Sequence, residues 1–127
     1  MSHLPEDVVQ LLAPFVARED LERLRPVTGP PAAWLPAILG ASATTFGQFV
    51  CFRPGAYNTD TARGLALIAH EGVHVTQFRE LGLFRFLARY LRYRLTTRSR
   101  GLRHPMEAPC IGVQRRTLAA LRSDGWP

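Results

Sequence analysis

His70-Glu71-Gly72-Val73-His74 sets two imidazoles four residues apart, inside a stretch that runs from Gly55 to His104 without a proline. Residues four apart sit one turn apart on the same helix face, so a helix here brings both rings to one point. The flanking pattern predicts that helix. Asp60 or Thr61 can act as N-cap, and the helix runs from about Ala62 to Glu80. Leu65, Ile68, Gly72, Val75 and Arg79 follow helical spacing, as do Leu67 and His74, and Gly82 stands ready as C-cap.

Two histidines on one face are suited to a metal. Zinc accepts neutral imidazole nitrogens at about 2.0–2.1 Å, and a catalytic zinc takes three protein ligands and keeps one open position. Glu71, between the histidines, is placed to serve as general base for water. The third ligand comes from elsewhere. Glu107 is the only acid between Glu80 and Asp124, and a helix hairpin could return it to the His70/His74 face. His104 is the alternative, and Cys110, three residues beyond Glu107, is a further candidate to face the metal.

The remaining chain reads as short elements separated by turns. Pro5-Glu6-Asp7 starts a helix whose apolar face is Val8, Leu11, Leu12 and Phe15, and Pro14 ends it. Asp20–Arg25 is a helical turn or the start of a strand. Thr28-Gly29-Pro30-Pro31 is a turn, and Trp34, Leu35, Ile38 and Leu39 form a loop or short helix that packs inward. The strongest strand signal is 43–52, with a bulge or tight turn near Gly47. A helix over Leu83–Leu95 carries two stripes, Phe84/Leu87/Leu91 and Phe86/Tyr90/Tyr93, with Arg85, Arg89 and Arg92 opposite. Thr96–Arg103 reads as a basic loop. A last helix covers about Pro105–Arg122 with Ile111, Leu118 and Leu121 inward.

Length restricts the alternatives. The 127 residues fit one domain, 1–127, and exclude a barrel enzyme or a complete dinucleotide-binding enzyme. No apolar run reaches the ~18 residues of a membrane span. The N-terminus lacks the pattern of a signal peptide, so the expected compartment is the cytoplasm. Cys51 and Cys110 lack metal-finger spacing and cannot build a disulfide framework; two reduced thiols are expected.

Charge is uneven. All sixteen cations are arginine, against ten acids. From Arg79 to Arg122 there are eleven arginines and two acids, and the rest of the chain holds five arginines and eight acids. The C-terminal third is therefore a basic surface able to attract anions such as nucleic acid or acidic lipid. Its aromatics follow helical stripes and do not interleave as a stacking platform, so weak, nonspecific anion binding is the expectation.

The motifs resemble a known group. Thr45-Phe46-Gly47, Phe52-Arg53-Pro54-Gly55-Ala56-Tyr57, His70-Glu71-x-x-His74-Val75-x-Gln77, Leu81-Gly82, Phe86-x-x-x-Tyr90 and His104-Pro105-x-Glu107 resemble the small bacterial DUF4157-like metallopeptidases, zincins of the gluzincin type. The resemblance covers roughly residues 43–110. It implies Zn²⁺ held by His70, His74 and Glu107, with Glu71 activating water, and a peptide or protein substrate. It also implies an edge strand within 44–52 that pairs with extended substrate. The implied fold class is α+β: a mostly helical, minimal zincin-like domain with a short sheet or hairpin packed on the active-site helix.

Two departures stand out. Gluzincins carry an aspartate four residues after the ligand glutamate, where this chain has Ile111, so support for a histidine must come from elsewhere. Larger gluzincins stabilise the oxyanion from a downstream domain; the nearby substitutes here are Tyr57, Tyr90, Tyr93, Arg103 and His104. Gln77 is expected at the surface more than in the site. Alternatives to a metallopeptidase are a non-catalytic zinc-stabilised domain and an anion-binding module.

Overall fold

The computed structural model describes residues 2–97 and 104–127. Helix α1 (Glu6–Leu12) has Glu6 and Asp7 in its first turn, where carboxylates meet the positive end of the helix dipole. Helix α2 (Arg18–Arg23) leads at once into strand β1 (Arg25–Val27), so the segment read as helical turn or strand is both in succession. Helix α3 is one short piece, Trp34–Ile38.

The predicted strand is a hairpin. Strands β2 (Ala43–Phe46) and β3 (Phe49–Phe52) pair antiparallel around Gly47 and Gln48, with Phe46 opposite Phe49. Gly47 adopts φ 66°, the left-handed conformation that such a tight turn requires. β1 pairs with β3 in parallel, so the order is β1-β3-β2 and β2 is an edge.

Helix α4 (Ala62–Leu81) starts where the Thr61 side chain accepts from the amide of Gly64 and ends at Gly82, with φ 79°. Helix α5 (Leu83–Thr97) follows directly. Helix α6 (Ala108–Ser123) begins three residues later than predicted, because His104–Glu107 forms a turn that delivers Glu107.

The core lies between α4 and the N-terminal elements. Leu12, Leu21, Leu24, Val50, Phe52, Leu65 and Ile68 are all fully buried. Backbones approach closely here: a Cβ on Gly64 would lie 1.9 Å from the Asn58 carbonyl oxygen. Asp20, also fully buried, accepts from Thr76 Oγ1 at 2.6 Å and from Arg79 Nε at 2.7 Å, tying α2 to α4. A smaller cluster joins Phe78, Phe86 and Met106, with Phe78 and Phe86 stacked at 3.6 Å.

One apolar group faces the other way from its expectation, and the packing chooses between the two stripes of α5. Trp34, Leu35, Ile38 and Leu39 are exposed, because α3 lies across the rim and does not enter the core. In α5 the Phe86/Tyr90/Tyr93 stripe meets the protein, while Phe84, Leu87 and Leu91 point to solvent. Of the three strand phenylalanines only Phe52 is fully buried, and Phe46 is half exposed at the hairpin tip. Helix α5 also takes in Thr96 and Thr97, read from the sequence as the start of a basic loop; Arg98, Arg100 and Arg103 lie outside the described residues.

Candidate metal centre

α4 is largely buried through its middle, and this orients its motif. Glu71 and His74 are buried and His70 is nearly so, on the side that faces α6 and the hairpin. The turn before α6 carries Glu107 to the two histidines. Its Oε1 lies 3.2 Å from His70 Nε2 and 3.0 Å from His74 Nε2.

The other nitrogen of each ring is held by an amide. His70 Nδ1–H donates to Gln114 Oε1 at 2.7 Å, and His74 Nδ1–H donates to Gln77 Oε1 at 2.9 Å. Gln77 is oriented in turn, because its Nε2–H donates to the Met106 carbonyl at 2.8 Å and so turns Oε1 toward His74. With both Nδ1 atoms donating, the two Nε2 atoms and the Glu107 oxygen present lone pairs to one another. A proton or a metal cation resolves that arrangement.

The donor set fits zinc. A tetrahedral site with bonds of about 2.0 Å puts its nitrogen and oxygen donors about 3.3 Å apart, close to the 3.0 and 3.2 Å found. Cys110 joins them: donor atoms of His70, His74, Glu107 and Cys110 all lie within 4.8 Å of one another. The Cys110 sulfur lies 3.6 Å from His74 Nδ1 and 3.7 Å from Nε2, almost equally near both ring nitrogens. Its thiol also donates to the Met106 carbonyl at 3.3 Å.

The metal-free electrostatics follow from burial and proximity. Burial opposes charge on His74, but hydrogen bonds with Cys110 and Glu107 outweigh it and raise its pKa well above the usual imidazole value. Burial would likewise raise Glu107, yet hydrogen bonds from His70, His74 and Tyr90 hold its carboxyl well below the usual range. Tyr90 Oη–H donates to Glu107 Oε2 at 2.5 Å. Glu71 goes the other way: burial pushes its carboxyl up, with the histidines only partly opposing. Burial also raises the Cys110 thiol.

A cleft of about 480 Å³ opens over this group. Edge strand β2 forms one wall, α5 contributes Phe86, Leu87 and Tyr90 to another, and His70, Glu71 and His74 form the floor. Thr45 of β2 donates through Oγ1 to Glu71 Oε1 at 3.2 Å, so the strand positions the carboxyl.

Residues 3–82 match the eCIS core domain family. The chain belongs to that family. The match is consistent with the gluzincin-type, DUF4157-like resemblance. It spans α1 through α4 and so includes His70, Glu71 and His74, but stops before Glu107 and Cys110. No curated protein and no solved structure matches the chain.

The four residues singled out for the site, His70, Glu71, His74 and Glu107, come together. His104 does not join the metal cluster. It is buried 4.4 Å from the Tyr90 ring, its Nε2–H donates to the Tyr90 carbonyl and its Nδ1 accepts from the Met106 amide, so it shapes the turn that presents Glu107. Tyr57 packs against Phe52 with the rings tilted by 57° and does not line the cleft, and Tyr93 contacts the His104 ring. Gln77 belongs to the site and not to the surface. Gln114 was not anticipated; its spacing, seven residues or about two helical turns after Glu107, was the available signal. Together these two glutamines supply the support that Ile111 cannot.

Proposed function

We propose that this chain is a zinc-binding domain in which the ion, held by His70, His74 and Glu107 with Cys110 as fourth donor, clamps α4 to the start of α6. The observation that carries this reading is the convergence of four donors of zinc-compatible type, all within 4.8 Å of one another. The ion would supply fold stabilisation, replacing the mutual lone-pair conflict of three buried donors with bonds to a cation. Gln77 and Gln114 keep both imidazoles in the tautomer that presents Nε2. Tyr90 fixes the second oxygen of Glu107, leaving the first free to bind.

Peptide hydrolysis is the second reading, favoured by the cleft that Glu71 lines beside an edge strand. In that case zinc supplies an acidified water. Glu71, steadied by Thr45, takes up a proton, and β2 holds extended peptide through its main chain.

The two readings separate in one set of measurements. Metal analysis should give about one zinc per chain, and the cobalt-substituted protein should show a thiolate charge-transfer band that is missing in Cys110→Ser. No turnover across a broad peptide library completes the structural reading. Turnover abolished by Glu71→Gln with metal retained, together with no thiolate band, replaces it with the hydrolytic one. A protein that takes up no metal after reconstitution refutes both.

A further inference from the structure

α5 leaves five large apolar side chains exposed and buries one, Phe86. Phe84, Leu87, Leu91 and Leu95 recur at steps of three and four and form one stripe; all are exposed, Phe84 to 84%. The opposite stripe, Phe86 and Tyr90, holds the helix to the protein. Arg85, Arg89 and Arg92 follow along one flank of the outer stripe and Arg94 lies on the other, all exposed. The helix contains no acid, and none of these four arginines forms an ion pair among the described residues. Leu39, at the end of α3, lines the same cleft as Leu87, so exposed apolar side chains of both helices border that cleft.

A solvent-facing apolar stripe bordered by cations suits a helix that lies in the plane of a lipid interface. The apolar side chains enter the acyl boundary, and the arginines extend along it to reach headgroups. The charges decide between occupants. Two copies packed through α5 would oppose four arginines to four with no acid on either helix, whereas an anionic bilayer satisfies both the stripe and its cations. We infer that the outer face of α5 is a docking surface for an anionic lipid bilayer, on which the helix lies parallel to the membrane plane. This reading is independent of the metal centre.

Co-sedimentation of the full chain with vesicles tests it. Binding is expected to phosphatidylcholine vesicles carrying about 30 mol% phosphatidylserine, weakening as salt rises, and far less to phosphatidylcholine alone. Phe84→Ser with Leu91→Ser should lower the partition coefficient at least ~10-fold, and Arg85→Gln with Arg92→Gln roughly 30-fold. Both pairs replace exposed residues, and unchanged circular dichroism melting establishes that they fold. Absence of binding to the anionic vesicles overturns the proposal, as does equal binding by the Phe84/Leu91 variant. Light scattering that shows a dimer for the parent chain and a monomer for that variant overturns it in favour of a second copy as occupant.

Discussion

α4 and α5 are consecutive helices with only Gly82 between them, yet they solve opposite problems. α4 buries eleven of its twenty residues, including Glu71 and His74. α5 is the more sharply two-sided of the pair, and among its fifteen residues only Phe86 is buried. A helix packed on several sides needs no strong amphipathic pattern, because α1, α2, α6 and the hairpin each claim part of its circumference. A strongly amphipathic helix advertises an apolar face without saying what covers it. In α5 the protein covers the stripe with hydrogen-bonding ends, since Tyr90 donates to Glu107 and the Tyr90 carbonyl receives His104. The stripe without hydrogen-bonding ends, Phe84, Leu87, Leu91 and Leu95, is left outside.

That contrast can be broken most forcefully at the metal centre. Replacing His74 with Ala removes a ring nitrogen and leaves the buried Glu107 carboxylate with fewer partners. Zinc affinity should fall by at least ~100-fold in a competition titration. Chelation of the parent protein should lower its melting temperature, while chelation of the variant should change little.

Core substitutions sharpen the same comparison through stability alone. Ile68→Ala, in fully buried α4, should cost about 2–5 kcal/mol in a urea titration. Leu91→Ala, on the outer stripe of α5, should stay within about 0.5 kcal/mol. Similar costs at the two positions would mean that the α5 stripe is covered in solution.

The tie between α2 and α4 gives a smaller effect with a pH signature. Asp20→Ala removes an acceptor used by Thr76 and Arg79 and should cost about 2 kcal/mol at neutral pH. Burial opposes the Asp20 charge, but the hydrogen bonds from Arg79 and Thr76 prevail and lower its folded pKa below the ordinary 3.8. Its stabilisation is therefore complete above that ordinary value and is lost as pH falls through the lower folded one. The stability gap between parent and variant should close under acid, as read from melting curves between about pH 7 and pH 2.

The smallest change lies where α5 touches the site. Tyr90→Phe deletes only the hydroxyl that donates to Glu107 Oε2, and should cost about 1–2 kcal/mol. It should weaken zinc less than ten-fold if the hydroxyl only positions the carboxylate. Leu87→Ala, one turn earlier on the outer stripe, should leave zinc affinity unchanged.

Much of the metal centre was legible from local pattern. The four-residue histidine spacing, a proline-free segment and Thr61 and Gly82 at its ends determine α4 and align His70 with His74, because these are properties of neighbouring residues on one helix. Scarcity identified Glu107, the sole acid in a long basic stretch. Cys110 could be placed one turn beyond it, but spacing could not say that its sulfur would approach His74. The hairpin was half legible: residue types marked the strands, while the turn depended on Gly47 taking a positive φ.

Tertiary packing decided the rest. Whether Gln77 and Gln114 meet the histidines depends on how α6 lies along α4, which no single helix encodes. The Phe84/Leu87/Leu91 and Phe86/Tyr90/Tyr93 stripes of α5 are both apolar at helical spacing, so the choice between them rested on partners. Phe78 and Met106 offered a packing surface, and Glu107 and His104 offered hydrogen-bond partners, all on the same side. For α3, Trp34 and Ile38 carry the residue types of a core, but the N-terminal elements and α4 already fill that volume, and close packing leaves no room for a second set. Sequence by itself determined which residues could share a helix face; the three-dimensional assembly determined which face met protein, because burial depends on neighbours that are distant along the chain.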